Sequence, residues 1–181
     1  CSDNTLRTNG CNINTNTNNS NCGLCGNTCG MGSTCAAGTC VPLVTNGDFE
    51  TGTLSGWTLL DCAPCGGTFI ALGGAQHGNY FAQTGCFFSD GPATLQQTIT
   101  GLTVGQTYTM NAYYNGLAGG TPDGVIFYVD GVQIASRVNQ GSANGWFPVT
   151  GSFTASATSA VFSFTFGSDP FKCGVDNIVI V

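Results

Sequence analysis

The sequence predicts an all-β protein in which a β-sandwich follows a small N-terminal module that is disulfide-rich and dominated by loops. Seven of the 11 cysteines lie within the first 40 residues. Beyond residue 42, short runs of β-branched and aromatic residues alternate with glycine-rich turns, at the spacing typical of a sandwich. No segment keeps a helical periodicity of apolar residues.

The cysteines divide the chain into a module at residues 1–40 and a sandwich at residues 41–181. The module has few large apolar side chains, so cross-links must replace a hydrophobic core. The cysteines expected in disulfides are Cys11, Cys22, Cys25, Cys29, Cys35 and Cys40 in the module and Cys62, Cys65, Cys86 and Cys173 in the sandwich. Pairing within the module stays open, whereas Cys62 with Cys65 and Cys86 with Cys173 is preferred in the sandwich. Disulfides at this density predict an extracellular or cell-surface protein.

The odd number of cysteines leaves Cys1 over. Three fates of Cys1 remain open: a bond to another chain, a lipid on the first residue of a bacterial lipoprotein, or an internal pairing that frees a different thiol. Only the lipid would bring a membrane partner. The start at Cys1, with no Met and no signal sequence, is typical of a mature, processed protein.

Glycine stands beside almost every cysteine of residues 21–40, which predicts tight turns. This run resembles the small cysteine-rich repeat NCGxCGxxCxxGxxCxxGxC of extracellular proteins, a family that implies no single activity. A zinc site is the rival interpretation of Cys22-x-x-Cys25, but the run lacks a separate second pair or a histidine. Asn18 begins an N-glycosylation sequon, for which an ordinary polar loop is the alternative.

The sandwich strands follow from period-two alternation and turn signals. Expected strands are 43–50, 56–60, 68–72, 79–84, 93–100, 106–114, 124–129, 132–137, 146–154, 160–166 and 175–181. Phe162, Phe164 and Phe166 share one side of their strand and are expected in the core. Asp130-Gly131 predicts a two-residue hairpin turn.

The charge balance excludes nucleic acid as a partner. Three Lys or Arg against nine Asp or Glu give a net charge of −6, whereas binding to a nucleic-acid backbone requires clustered cations. No apolar run approaches the ~20 residues that span a bilayer.

The order of motifs in the second module carries a resemblance. NGDFETG at residues 46–52 is followed by SGW, HGNY, QQTI and GLTVGQTY, and GVDNI at residues 174–178 closes the series. This order resembles the galactose-binding-like β-jelly roll of carbohydrate-binding modules. The resemblance implies a jelly roll, a polysaccharide or glycoconjugate as partner, and a structural Ca²⁺. Carried over, Glu50 and Asp176 would bind that Ca²⁺ with Asp48 and carbonyls near His77. The alternative is that Glu50 caps a turn while Asp176 bonds loop amides.

A candidate sugar site follows from exposed aromatic residues, on which sugar rings stack. Asn111 and Tyr113 share the polar face of one predicted strand, and Tyr128 is expected with the same exposure on a strand nearby. These three residues form a predicted glycan-binding row. The alternative is that the tyrosines cover a second sheet or contact the cysteine-rich module. Trp57 and Trp146 match fold motifs and are expected in the core.

The sequence offers no catalytic set. His77 is the only histidine and lies within a fold motif, and Cys62-x-x-Cys65 has oxidoreductase spacing without a helix N-terminus to activate a thiol. Two functions remain. One is a secreted, non-catalytic module that binds carbohydrate of a cell wall or matrix. The other is a structural subunit of a fibre, appendage or coat, in which disulfides join identical subunits.

Overall fold

A computed structural model describes residues 13–30, 32–60, 68–85, 91–116, 123–138, 145–168 and 172–181. This part of the chain contains 12 strands and no helix, and therefore no helix that could span a membrane. The strands are β1 (Ser33–Ala36), β2 (Thr39–Pro42), β3 (Thr58–Leu60), β4 (Thr68–Leu72), β5 (Tyr80–Thr84), β6 (Ala93–Thr100), β7 (Thr107–Asn115), β8 (Asp123–Val129), β9 (Val132–Val138), β10 (Phe147–Thr154), β11 (Ser159–Ser168) and β12 (Cys173–Ile180).

Two five-stranded antiparallel sheets form the sandwich. The front sheet has the order β10-β7-β12-β5-β4, and the back sheet has the order β3-β6-β11-β8-β9. β7 and β8 follow each other in the chain but belong to opposite sheets. The all-β sandwich predicted from the sequence is confirmed.

Aromatic side chains fill the space between the sheets. Phe162, Phe164 and Phe166 are fully buried, as their alternation predicts, and Phe127 stacks on Phe162 at a centroid distance of 6.1 Å. Trp57 is also in this core, as expected, and its ring lies edge-on to Phe164 at 5.3 Å. Burial of such large apolar surfaces is the main stabilising contribution to the fold.

The predicted hairpin turn is present between β8 and β9. Asp130 and Gly131 have φ values of 49° and 77°, which fit a type I′ turn. The Asp130 side chain also accepts a hydrogen bond from the backbone N–H of Val161 at 2.8 Å. The turn is therefore tied to the neighbouring strand β11.

Residues 43–50, predicted as a strand, form consecutive turns instead. Asn46 and Phe49 have φ values of 51° and 55°, outside the β region. Phe49 is nevertheless fully buried, and Gly47 passes so close to Ile178 that a Cβ would collide with its carbonyl oxygen. The apolar residues thus enter the core from a curled loop, which alternation alone does not distinguish from a strand.

Disulfides hold the N-terminal module, as predicted. Cys22 bonds to Cys35 and Cys29 to Cys40, and Cys25 is also disulfide-bonded. β1 and β2 form a hairpin that the sequence did not predict. Thiolates taken up in disulfides are not free to bind zinc, so the rival interpretation does not hold for these cysteines. The predictions for Cys1, Cys11, Cys62, Cys65 and Cys86 lie outside the described residues.

Cys173 corrects one prediction. We expected a disulfide with Cys86, but Cys173 is a free, fully buried thiol that faces inward at the start of β12. Burial raises the pKa of this thiol well above its usual value. It lies beside the hydroxyl of Tyr114, which donates to Asp123 Oδ2 at 3.1 Å. The apolar core and this polar pair enclose the sulfur.

The module and the sandwich meet without a spacer. β2 ends at Pro42, and Leu43 is already part of the sandwich core. The backbone N–H of Leu43 donates to the Gly32 carbonyl at 2.8 Å, and Thr34 Oγ1 donates to the Gly101 carbonyl at 3.4 Å. Thr34 is buried in this joint.

Gly101→Ala is expected to weaken the joint between module and sandwich. Gly101 has φ +83°, and a Cβ there would lie 2.7 Å from Cβ and Cγ2 of Thr34. Gly105→Ala is the matched control, because Gly105 has φ +82° and nothing within 4 Å. Both variants suffer the cost of a positive φ, and Gly101→Ala should lose about 1–3 kcal/mol more from overpacking. Urea unfolding measures the difference, and equal losses would contradict the close approach.

Candidate functional site

Two carboxylates hold the loop between β4 and β5, residues 73–79. Glu50 Oε1 accepts hydrogen bonds from the backbone N–H groups of Asn79 and Tyr80, both at 2.7 Å. These bonds favour the ionised carboxylate and lower the pKa of Glu50, with the bond from Tyr80 contributing most. A Cβ on Gly78 would collide with the Glu50 carboxylate, so a glycine is required there.

The second carboxylate, Asp176, is buried at the outer side of β12. Its Oδ2 accepts from the N–H groups of Gln76 at 2.8 Å and His77 at 3.0 Å, and its Oδ1 accepts from Asn177 at 2.7 Å. Burial raises the pKa of Asp176 to about 6, and the charge of Glu50 adds to the increase. Both carboxylates therefore bond loop amides, which the alternative interpretation expects for Asp176, whereas it expects Glu50 to cap a turn.

The predicted third ligand, Asp48, does not join a carboxylate cluster. Its Oδ1 accepts a hydrogen bond from the Glu50 N–H at 3.3 Å. Within the described ranges, the only three His, Cys, Asp or Glu with ligand atoms within 4.8 Å of one another are Cys22, Cys29 and Cys35. Glu50 and Asp176 are oxygen donors, the ligand type that a hard cation prefers, and the charge of Glu50 contributes to the raised pKa of Asp176.

The outer surface of the front sheet, the front face, carries the first two residues of the predicted glycan row. Asn111 is exposed and accepts a hydrogen bond from Thr150 Oγ1 at 3.1 Å. Tyr113 is half-buried and lies between Pro148 of β10 and Asp176 of β12. The structure thus brings Asn111 and Tyr113 together on one face, beside the carboxylate that holds the loop.

Trp146, predicted in the core, lies instead half-buried on the front face. Its indole Nε1 donates to the Gly74 carbonyl at 2.8 Å, and its ring meets Phe81 edge-on at 5.2 Å. A Cβ on Gly174 would lie 2.7 Å from Phe81 and 3.2 Å from the indole, so the glycine lets the ring approach the sheet. The outward position follows from strand alternation. Residues 146 and 149 have opposite parity, so a strand that buries Val149 places Trp146 on its outer side.

Glu50 and Asp176 are linked to Trp146 through the loop of residues 73–79. Gly74, which accepts the indole N–H, lies in the same segment whose residues 76, 77, 79 and 80 donate to Asp176 and Glu50. The bonds to Glu50 hold the loop backbone against the turns of residues 43–50, and those to Asp176 hold it against β12. The carboxylates therefore position the indole on the front face without touching it.

Tyr128 is not part of this face. It alternates with the buried Phe127 and Val129 on β8, so it points outward from the back sheet. The predicted row of Asn111, Tyr113 and Tyr128 is therefore wrong as a single row. The reason is topological, because β7 and β8 lie in opposite sheets.

Asn18 lies in the loop that precedes β1. Its Oδ1 accepts hydrogen bonds from the Ser20 N–H at 3.0 Å and from Asn21 Nδ2 at 3.1 Å. The side chain thus closes an Asx turn. Glycosylation at this sequon stays a prediction.

Comparison with known proteins identifies the fold. No family model matches the chain, and no curated protein matches its sequence. The CBM22-1 xylan-binding domain of Paenibacillus barcinonensis Xyn10C shares 19% identity over 74% of this chain and 89% of its own, with a TM-score of 0.54. The Stig cyclase Fisc of Fischerella sp. TAU shares 15% identity over 76% of this chain and 94% of its own, with a TM-score of 0.60.

A third similar structure contains the CBM22-1 and GH10 modules of Clostridium thermocellum Xyn10B with xylohexaose. It shares 16% identity over 76% of this chain and 28% of its own, with a TM-score of 0.56. Identities this low establish the fold alone. The chain therefore has a β-sandwich fold that occurs both in xylan-binding domains and in a cyclase.

Proposed function

We propose that the sandwich is a non-catalytic carbohydrate-binding module whose site is the front face. The observation that carries this proposal is the pair of half-buried aromatic residues, Tyr113 and Trp146, on an outward surface beside the Asn111 amide and Thr150 hydroxyl. Sugar rings stack on such aromatics while their hydroxyls meet amides and hydroxyls.

The expected ligand is a neutral polysaccharide. The exposed polar groups named on this face are uncharged, and the chain as a whole has only three Lys or Arg to attract anionic groups. The fold shared with xylan-binding domains, one of them in a complex with xylohexaose, supports xylan as the first candidate to test. The disulfides of the N-terminal module support action outside the cell, at a cell wall or matrix.

The fibre or coat function has less support. The sequence bases it on low charge, the small size of the chain and a leftover Cys1 that would join identical subunits. With Cys173 a free buried thiol, the other ten cysteines are even in number. The count therefore no longer requires an intermolecular bond.

Trp146→Ala is expected to reduce glycan affinity at least tenfold, because loss of a stacked aromatic costs about 1.4 kcal/mol or more. The native protein is first tested against a panel of soluble xylan, β-glucan and mannan, and affinity for the retained glycan is then measured by calorimetry. Tyr113→Ala should act similarly without disturbing Phe81. Thr109→Ala, on the same face of β7, is the matched control. Failure to retain any glycan, or full affinity in both aromatic variants, contradicts the proposal.

We propose further that Glu50 and Asp176 hold a structural Ca²⁺ beside the loop of residues 73–79. A ligand that binds only the folded state stabilises it by about 2.7 kcal/mol at a hundredfold excess over its dissociation constant. Melting in calcium rather than EDTA should therefore raise Tm by roughly 5–10 °C, at about 2–4 °C per kcal/mol. Glu50→Gln should abolish the increase and Asp130→Asn should not. An unchanged Tm in the native protein contradicts the site.

A further inference from the structure

The outer surface of the back sheet, the back face, carries a row of residues that are paired across its five strands. Thr58, Gln96, Ser163, Tyr128 and Gln133 are successive Cα partners across β3, β6, β11, β8 and β9. Neighbouring strands lie about 4.8 Å apart, so the row extends roughly 19 Å. Tyr128 is half-buried within the row, between the hydroxyl-bearing Ser163 and the amide-bearing Gln133.

The row has hydrogen-bonding groups that the protein leaves unused. In the part of the chain that the structure describes, the Gln96 amide, the Ser163 hydroxyl and the Tyr128 hydroxyl bond to no other group. Gln133 Nε2 donates only to Ser136 Oγ, at 3.3 Å on the same face. An aromatic ring with free amides and hydroxyls on either side has the composition of a saccharide-binding surface.

The back face is also uncharged. Arg137 of β9 is the partner of the buried Val125, so it points inward, and its guanidinium lies 4.3 Å from the centroid of Phe147 in the front sheet. Asp123 of β8 is likewise buried. None of the described strand residues that point outward from the back sheet is Asp, Glu, Lys or Arg. An uncharged face suits a neutral ligand and not an acidic or basic partner.

We propose that the back face is a second saccharide-binding surface, on which a neutral polysaccharide chain lies across the strands with one sugar ring on Tyr128. This inference rests on the proposed function of the front face and extends it. Two surfaces on opposite sides of one sandwich hold two chains at once. The module is then a bivalent cross-linker of polysaccharide chains.

Stoichiometry tests the second surface. Calorimetry with xylohexaose, cellohexaose and mannohexaose should give two molecules bound per chain for the hexasaccharide recognised. Tyr128→Ala should leave one, Trp146→Ala should leave one, and the double variant none. Tyr128→Phe, which keeps the ring, is the matched control and should keep two. Thermal unfolding of each variant confirms that it is folded.

Cross-linking provides a second measurement. The native protein should raise the apparent size of soluble xylan in light scattering, and each single alanine variant should abolish the increase while still binding. Two results overturn the second surface: a stoichiometry of one that Tyr128→Ala leaves unchanged, or a dimer without glycan that Tyr128→Ala dissociates. The first leaves the front face intact. A stoichiometry of one that only Tyr128→Ala abolishes refutes the front face instead, and no binding to any hexasaccharide refutes both.

Discussion

Phe164→Ala is expected to lower the free energy of unfolding by about 3–5 kcal/mol. Phe164 is fully buried and contacts three aromatic rings, those of Trp57, Phe127 and Phe166, at centroid distances of 5.2 to 5.5 Å. Its removal deletes apolar surface and leaves a cavity that the two sheets cannot fully close. Urea unfolding at constant m-value measures the loss.

The matched control for Phe164→Ala is Val161→Ala on the same strand. Val161 has the opposite parity and is 40% exposed, so this change should lower stability by only about 0.5 kcal/mol. Comparable losses in the two variants would mean that β11 does not present its phenylalanines to the core. A lower m-value would indicate loss of two-state unfolding instead.

Asp176→Ala is expected to cost about 2–4 kcal/mol, because it removes the acceptor of three backbone N–H groups in a buried site. Asp176→Asn keeps the shape of the side chain but removes the charge. It should cost less than the alanine variant, since one carbonyl oxygen still accepts. Equal losses would show that charge, not acceptor geometry, holds the loop.

Asp176 also predicts a pH dependence in EDTA. Its pKa of about 6 in the folded protein exceeds the ordinary value of 3.8, so the folded state binds the proton more tightly. Its contribution to stability is therefore fully present below pH 3.8 and lost as pH rises through 6. Glu50 has the opposite sign, because its lowered pKa gives stability above its ordinary value of 4.5.

Unfolding of the native protein and of Asp176→Asn between pH 3.5 and 7 separates the two contributions. The native protein should lose stability relative to the variant as pH rises from about 4 to 6. Saturating Ca²⁺ should flatten this difference, since a cation that binds the carboxylate competes with the proton. A constant difference over the whole range would contradict the raised pKa of Asp176.

Alternation predicted the strands well where one side of a strand meets the core and the other does not. The bounds of β4 and β6 agree with prediction, and β11 presents its phenylalanines inward as expected. Residues 43–50 failed for a reason that alternation does not contain. Their apolar side chains are buried from turns with positive φ, held by contacts to residues more than 50 positions away, among them Gln97.

The candidate site was predicted only in part, because it depends on which sheet each strand joins. Asn111 and Tyr113 lie together since they share β7, whereas Tyr128 lies on the opposite face. Trp146 was assigned to the core from its motif, although its parity places it outside. Cys173 shows the same limit, since cysteine counting does not reveal which sulfur the core encloses.

The absence of any spacer between Pro42 and Leu43 has a mechanical consequence. A flexible tether would let a binding domain reorient freely and would lower the effective concentration of its surfaces near a target. Here Leu43 is embedded in the hydrophobic interior one residue after the stapled hairpin ends, so torque applied to the hairpin passes directly into the sandwich. The front face and the back face are thus presented at a fixed angle to the hairpin.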